Sequence, residues 1–429
     1  MAKILNVAVV GAGTIAQAVH LPILRRRWDR FRIAALVDIS PRRRREASEV
    51  FGVAEDLRYE DVEQMMEAVK ARTLALDLVV LAADGVHVPD VLRIIRRGIP
   101  VLVEPPLAFS AEELREIQQF ERMAGRTLVI AAYAQQYDET VQRLPELLQR
   151  RDVRMFEHEV RMPANAAMYG HAHVTSSSYD LPSSLRAERR SALQAAVEAG
   201  SGEGATQRDR DLYVKGLLTG LAYQLALLEA TFGPLERLVA VRHWPKGVIP
   251  GSIEVLGELE GEVPVRLVWH YLPFSPDYGE TVRVLTARKR VQLDLPPVSQ
   301  IDARSELFLR QKEKGTFRGT VENAAVSAAE AMWDDLHTSL VKGRPLRSGT
   351  ESAARQVVLL REILARIVEA DGRSLEADPE AESPTEATAE GEAEPETEAT
   401  AEADVPTENE SDAEPEAEVS AEADGPTED

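Results

Sequence analysis

Residues Val7-Ala8-Val9-Val10 form an apolar, valine-rich run that reads as a buried strand. Gly11-Ala12-Gly13 follows at once, and a helical pattern opens at Thr14 and Ile15 with Ala16 at the third small position. Strand, glycine turn and helix start, in that order, are the fingerprint of a βαβ unit that binds a dinucleotide. Gly11 permits the tight turn, and Gly13 lets the backbone approach a pyrophosphate. Ala16 lets the helix pack close on the strand. The first helical N–H groups and the positive dipole end then face the phosphates. The next apolar run, Ile33–Val37, ends at Asp38, whose carboxylate is placed to accept hydrogen bonds from ribose hydroxyls.

The formal charge of −22 is concentrated at one end. From Glu376 to Asp429 there are 22 acidic residues and no Lys or Arg, so the remaining 50 acids balance the 50 bases. A near-neutral body excludes whole-surface attraction to nucleic acid. No apolar run reaches 18 residues, so no membrane span is expected. The chain has no cysteine, which removes disulfides, thiolate catalysis and Cys-ligated metal, and fits a cytoplasmic location. The segment 373–429, built from Glu, Ala, Thr and Pro, cannot bury a core and is expected to stay unfolded.

Strands and helices alternate up to about Tyr133, which predicts an α/β fold with a parallel sheet covered on both faces. Beyond that point the pattern changes. A long helix, Leu212–Phe232, breaks at Gly233-Pro234, and strands then follow as hairpins from Arg237 to Leu295. These predict a second, α+β domain with a large, mostly antiparallel sheet. The expected boundaries are 1–133 for the Rossmann dinucleotide-binding domain, 134–372 for the α+β domain and 373–429 for the acidic tail. A sheet with one open face predicts a homodimer or homotetramer. Pro163–Asp211 reads as a long polar insertion, either surface or disordered chain or a lid over the site.

With these landmarks the chain resembles the glucose–fructose oxidoreductase / inositol dehydrogenase (Gfo/Idh/MocA) family. The resemblance is carried by Gly11–Pro22, Ala83-Asp84-Gly85-Val86-His87, Gly98–Leu107 and Lys342-Gly343-Arg344-Pro345-Leu346. It implies a nicotinamide cofactor, with His87 near its ribose, Glu104 and Pro105 at the reacting end, and Ala83 in the cofactor wall. This chain departs from the family at its chemistry. Glu104-Pro105-Pro106 stands where the family has Glu-Lys-Pro. The helical positions of the family's Asp/His pair fall on Thr219 and Tyr223, and that of a further Asp on Ala226. Biliverdin reductases, which also lack the lysine, share this pattern of absences.

Three sets of residues are then candidates. Lys215, Thr219 and Tyr223 lie four apart on one helix, so Lys215 is expected to face Tyr223 and lower its pKa for proton transfer. Tyr133, Gln135 and Tyr137 follow the fifth strand, at the mouth where open sheets meet ligands, and are the substrate candidates. Gly11, Gly13, Thr14, Ile15, Asp38 and Arg42 are the cofactor candidates. Asp38 repels a 2′-phosphate and favours NAD, while Arg42-Arg43-Arg44-Arg45 leaves NADP open. No metal site is expected from His171 and His173 alone.

The reading that follows is an NAD(P)-dependent oxidoreductase acting on a small organic molecule, either sugar- or cyclitol-like or a conjugated electrophile. The competing readings are a non-catalytic dinucleotide-binding protein and a biliverdin-reductase-like reductase.

Overall fold

The computed structural model describes residues 3–172, 174 and 180–376. The first sheet has six parallel strands, β1 (Leu5–Val10), β2 (Phe31–Val37), β3 (Arg58–Tyr59), β4 (Leu78–Leu81), β5 (Val101–Val103) and β6 (Val129–Ala131), in the order β3-β2-β1-β4-β5-β6. The order reverses beside β1, so a crevice opens there at the carboxyl ends of the strands. Strands this apolar are buried on both faces, and Val7, Ala8, Val9 and Leu78 to Val80 have no measurable exposure.

The second sheet has eight strands. They are β7 (Val153–Met162), β8 (Arg237–Trp244), β9 (Ser252–Leu259), β10 (Val263–Tyr271), β11 (Gly279–Thr286), β12 (Lys289–Leu295), β13 (Glu306–Glu313) and β14 (Thr316–Asn323). Their order is β14-β13-β12-β11-β7-β10-β9-β8, antiparallel except at β7–β10. The alternating pattern of β7 turns Phe156, His158 and Val160 inward. The helical segments Tyr213–Phe232 and Thr350–Ala370 share a core with that inner face.

Several elements were not legible in the sequence. The helix Ala328–Lys342 returns to the first sheet, where Trp333 is fully buried with edge-on contacts to Phe31 (5.1 Å) and His20 (5.7 Å). β13 mixes charge with its apolar residues, and β14 is exposed on both faces with no buried alternation to read. The insertion, read as a loop, holds the helices Asn165–Tyr169, Ser183–Ser201 and Gln207–Leu212. Ser183–Ser201 is rich in good helix formers, but buries little beyond Ala196, Val197, Gly200 and Ser201 near its end, so its amphipathic signal is weak. The ordered chain also runs past 372. Leu375 is buried in the second core and Arg373 pairs with Asp209 at 2.6 Å. The rest of the acidic segment lies outside the described residues.

Candidate functional site

The glycine turn is built as its residue types require. Gly11 has φ +89°, and a Cβ there would lie 2.5 Å from the backbone of Ala83. At Gly13 a Cβ would meet only Ala82 O at 4.0 Å, so that side is open. The helical segment that follows begins at Thr14 and is π-wound from Ala16 to His20. Its first N–H groups have no intrahelical acceptors. Asp38 lies beneath the turn, 3 % exposed. It accepts from Ala12 N (2.7 Å) and Ser40 N (2.8 Å) and pairs with Arg43 at 3.1 Å. A cavity of about 230 Å³ is lined here by Gly11, Gly13, Asp38, Arg43 and Ala83. A dinucleotide fits this geometry: the open face of Gly13 is a cradle that a side chain would fill, beside a helix start and a carboxylate.

The insertion closes one side of this pocket. Asp180 caps the helix Pro41–Phe51, accepting from Ser40 Oγ (2.9 Å) and Arg42 N (3.0 Å). These hydrogen bonds, that from Arg42 N first, hold the Asp180 carboxyl below its ordinary range. Arg189 lines the pocket and donates to Asp84 O at 2.6 Å. His87 is buried beside this loop. Burial, reinforced by the Arg189 charge, pushes its pKa down to about 4.

A second cavity, of about 130 Å³, lies between the two sheets. The first sheet's side contributes Ile15, His20, Glu104 and Gln135, and the second sheet's side Trp269, Tyr278 and Glu280. Tyr223 and Thr219 enter from the long helical segment and Tyr169 from the insertion. Each carboxylate has a histidine on it. His20 Nε2 donates to Glu104 Oε1 at 2.8 Å, and His158 Nε2 to Glu280 Oε1 at 2.8 Å. Tyr278 Oη donates to Glu280 Oε2 at 2.5 Å. Burial, and then nearby carboxylates, push the phenols of Tyr169, Tyr223 and Tyr278 up, that of Tyr169 to about 12. They therefore stay protonated and act as donors.

The expected residues separate clearly. Ile15, Glu104, Gln135, Thr219 and Tyr223 meet at the cleft, and Gly11, Gly13, Asp38 and Ala83 at the dinucleotide pocket. Half-buried Thr14 opens the helix, and half-buried Pro105 follows Glu104. Tyr133 is buried behind the cleft, with its ring edge-on to Tyr223 at 5.1 Å.

Three expectations are corrected. Lys215 does not approach Tyr223. It is exposed and pairs with Asp211 at 3.5 Å. Thr219 and Tyr223, four apart, do reach the cleft together, but Lys215 lies a further turn away on the π-wound stretch Tyr213–Leu221 and turns to solvent. Tyr223 accordingly has its pKa raised rather than lowered. Arg42 turns to Glu46 at 2.8 Å, and Arg43 takes the pocket position. Tyr137 sits in the core around Trp333, away from the cleft. Of the histidines, His171 bonds Ser299 O at 3.1 Å, while His173 lies outside the described residues.

The sequence reading missed Trp269, Tyr278 and Glu280 and gave no site role to His20 or His158. The alternation of β7 and β11 placed His158 and Glu280 on inward positions. A carboxylate at an otherwise apolar inward position was the available signal.

Comparison with known proteins agrees with this architecture. Residues 5–132 match the model of the Gfo/Idh/MocA oxidoreductase family, described as an NAD-binding Rossmann fold. An inositol 2-dehydrogenase of Burkholderia ambifaria is 30% identical over 144 residues, 34% of this chain and 41% of that protein. The chain thus matches about two fifths of the length of this curated relative. Solved structures extend the likeness of fold to both sheets. An aldose-aldose oxidoreductase from Caulobacter crescentus superposes with TM-score 0.62 at 16% identity, covering 86% of this chain and 98% of that one. A 3-ketoreductase from Actinomadura kijaniata, solved with TDP-benzene and NADP, gives 0.59 at 16% identity, covering 83% and 96%. In its nucleotide-binding part, residues 5–132, the chain matches the Gfo/Idh/MocA oxidoreductase family.

Proposed function

We propose that the protein is an NAD(P)-dependent oxidoreductase that moves hydride between a nicotinamide and a small organic substrate in the cleft between the sheets. One observation carries this reading: the cleft joins Ile15 and Glu104, beside the dinucleotide turn, to Tyr223, Tyr278 and Glu280 of the second half. The Gly13 and Thr14 backbone would hold the pyrophosphate, and Asp38 and Arg43 the adenosine end. When bound, the nicotinamide supplies a two-electron hydride donor or acceptor at C4. The chain does the rest. Trp269 and the tyrosines exclude water, and Tyr223 offers its hydroxyl hydrogen to the substrate, while that of Tyr278 is held by Glu280. Tyr278 and His158 hold the Glu280 carboxylate in place at the cavity wall.

The alternative of a non-catalytic binder is separated by experiment. Fluorescence titration with NADH and NADPH is expected to show saturable binding, and assays with small ketones, imines and enones to show turnover. Binding with no turnover of any class would favour the binder. No binding would overturn both. Self-association through the outer face of the second sheet is part of this proposal.

A further inference from the structure

We propose that the cleft is built for a cationic substrate, a protonated cyclic imine or the amine formed by reducing it. This rests on the oxidoreductase reading above and names its substrate class. The cavity walls hold four aromatic rings, Tyr169, Tyr223, Trp269 and Tyr278, with two carboxylates, Glu104 and Glu280. No Lys or Arg stands among the described residues that line it. Aromatic faces and carboxylates attract a cation, and a buried anionic substrate would meet repulsion with no partner.

A second, independent feature points to an N–H group. Gln135 is 6 % exposed and lines the cavity. Its Nε2 donates to Glu280 Oε2 at 3.4 Å, and its Oε1 has no partner among the described residues. An acceptor buried this way is costly unless a ligand donor meets it. The N–H of an iminium or ammonium group is such a donor. An ether or a carbonyl is not.

The chemistry also fits the residue this chain lacks. A carbonyl being reduced needs a proton at oxygen, and Pro105 offers none where the family has lysine. A protonated imine needs none. Hydride adds to its carbon with two electrons, the C=N π pair settles on nitrogen, and the positive charge passes to the nicotinamide ring, which is oxidised.

The test pairs isosteres and uses the full chain. Binding of NADH and NADPH is measured first, because its absence would fail the oxidoreductase reading by itself. Pyrrolidine, a cation with N–H at neutral pH, is then compared with neutral tetrahydrofuran by calorimetry, with and without dinucleotide. Pyrrolidine is expected to bind at least about tenfold tighter, roughly 1.4 kcal/mol. Turnover of 1-pyrroline is expected to exceed that of cyclopentanone by about tenfold or more. In Gln135→Leu and Glu280→Gln, each checked for folding by circular dichroism, both preferences are expected to shrink below about threefold. Equal binding of the two rings, or cyclopentanone turned over faster, overturns the assignment and leaves the oxidoreductase reading standing.

Discussion

Gly11 and Gly13 look alike in the sequence, but the structure separates their tasks. Gly11 is needed for the fold: its φ is +89°, and a Cβ would press to 2.5 Å on Ala83. Gly11→Ala is expected to destabilise by about 3 kcal/mol, from overpacking plus a left-handed backbone, read by urea denaturation. Gly13 borders open space, so Gly13→Val is expected to keep the stability and to weaken NADH at least about tenfold, read by fluorescence titration. Unchanged affinity would remove the phosphates from this turn. His87 makes a prediction with a definite sign. Burial and Arg189 hold its folded pKa near 4 against an ordinary 6.5. Below 6.5 the unfolded chain takes up a proton that the folded chain refuses, so stability falls as pH drops from 6.5 to 4. His87→Gln removes this linkage. The wild type is expected to lose about 3 kcal/mol more than the variant across that window, and nothing extra above pH 7, by denaturation at each pH. Single-residue roles of this kind were legible where one backbone geometry demands one residue type. They were illegible for Glu280 and His158, which meet only when β11 pairs with β7.

At the scale of elements, periodicity revealed what was amphipathic and concealed the rest. The first sheet was readable because its strands are short apolar runs between capped helices, as where Ser110 Oγ accepts from Glu113 N. The long helical segment was found, but its winding was not. Seen from sequence alone, Lys215, Thr219 and Tyr223 share a face, and only the tertiary structure shows the π-wound stretch and an exposed Lys215 paired with Asp211. The insertion helix was hidden by its weak apolar stripe, yet it brings the element with most bearing on cofactor choice. Asp180 occupies the helix start at Ser40 and Arg42, a place suited to an anion. A phosphorylated ribose has to displace this carboxylate and also meets Asp38, whereas an unphosphorylated one does not. NADH is therefore expected to bind tighter than NADPH. Asp180→Ala is expected to raise NADPH affinity about tenfold while leaving NADH within about twofold, measured by parallel titrations. Equal gains for both cofactors would show that Asp180 is only a gatepost.

On the whole-molecule scale the two faces of the second sheet differ in kind. The inner face packs against helices and forms the cleft wall. The outer face carries a charged ladder in which Arg266 pairs with Glu254 (2.8 Å) and Glu157 (3.7 Å). At its β14 edge this gives way to apolar side chains. Phe317 is 73 % and Val321 56 % exposed, and Val321 pairs across the strands with Phe308. Phe317 faces Lys312, whose Nζ stands 5.9 Å from the ring. An edge strand with large exposed apolar residues invites another chain. A second copy suits this face because the ladder carries both signs, so a twofold axis can set arginine against glutamate while the aromatic edge is buried. A stable pair of this kind needs roughly 800 Å² from each partner, which is more than the edge alone and requires the ladder as well. Light scattering after size exclusion is expected to give an integral multiple of the chain mass, falling at high salt as the ladder is screened. Phe317→Lys combined with Val321→Lys adds two like charges beside Lys312 and is expected to yield a monomer with unchanged circular dichroism and unchanged dinucleotide binding. A wild type that runs as a monomer would show that the aromatic edge meets no second copy. A variant that stays assembled would move the interface elsewhere.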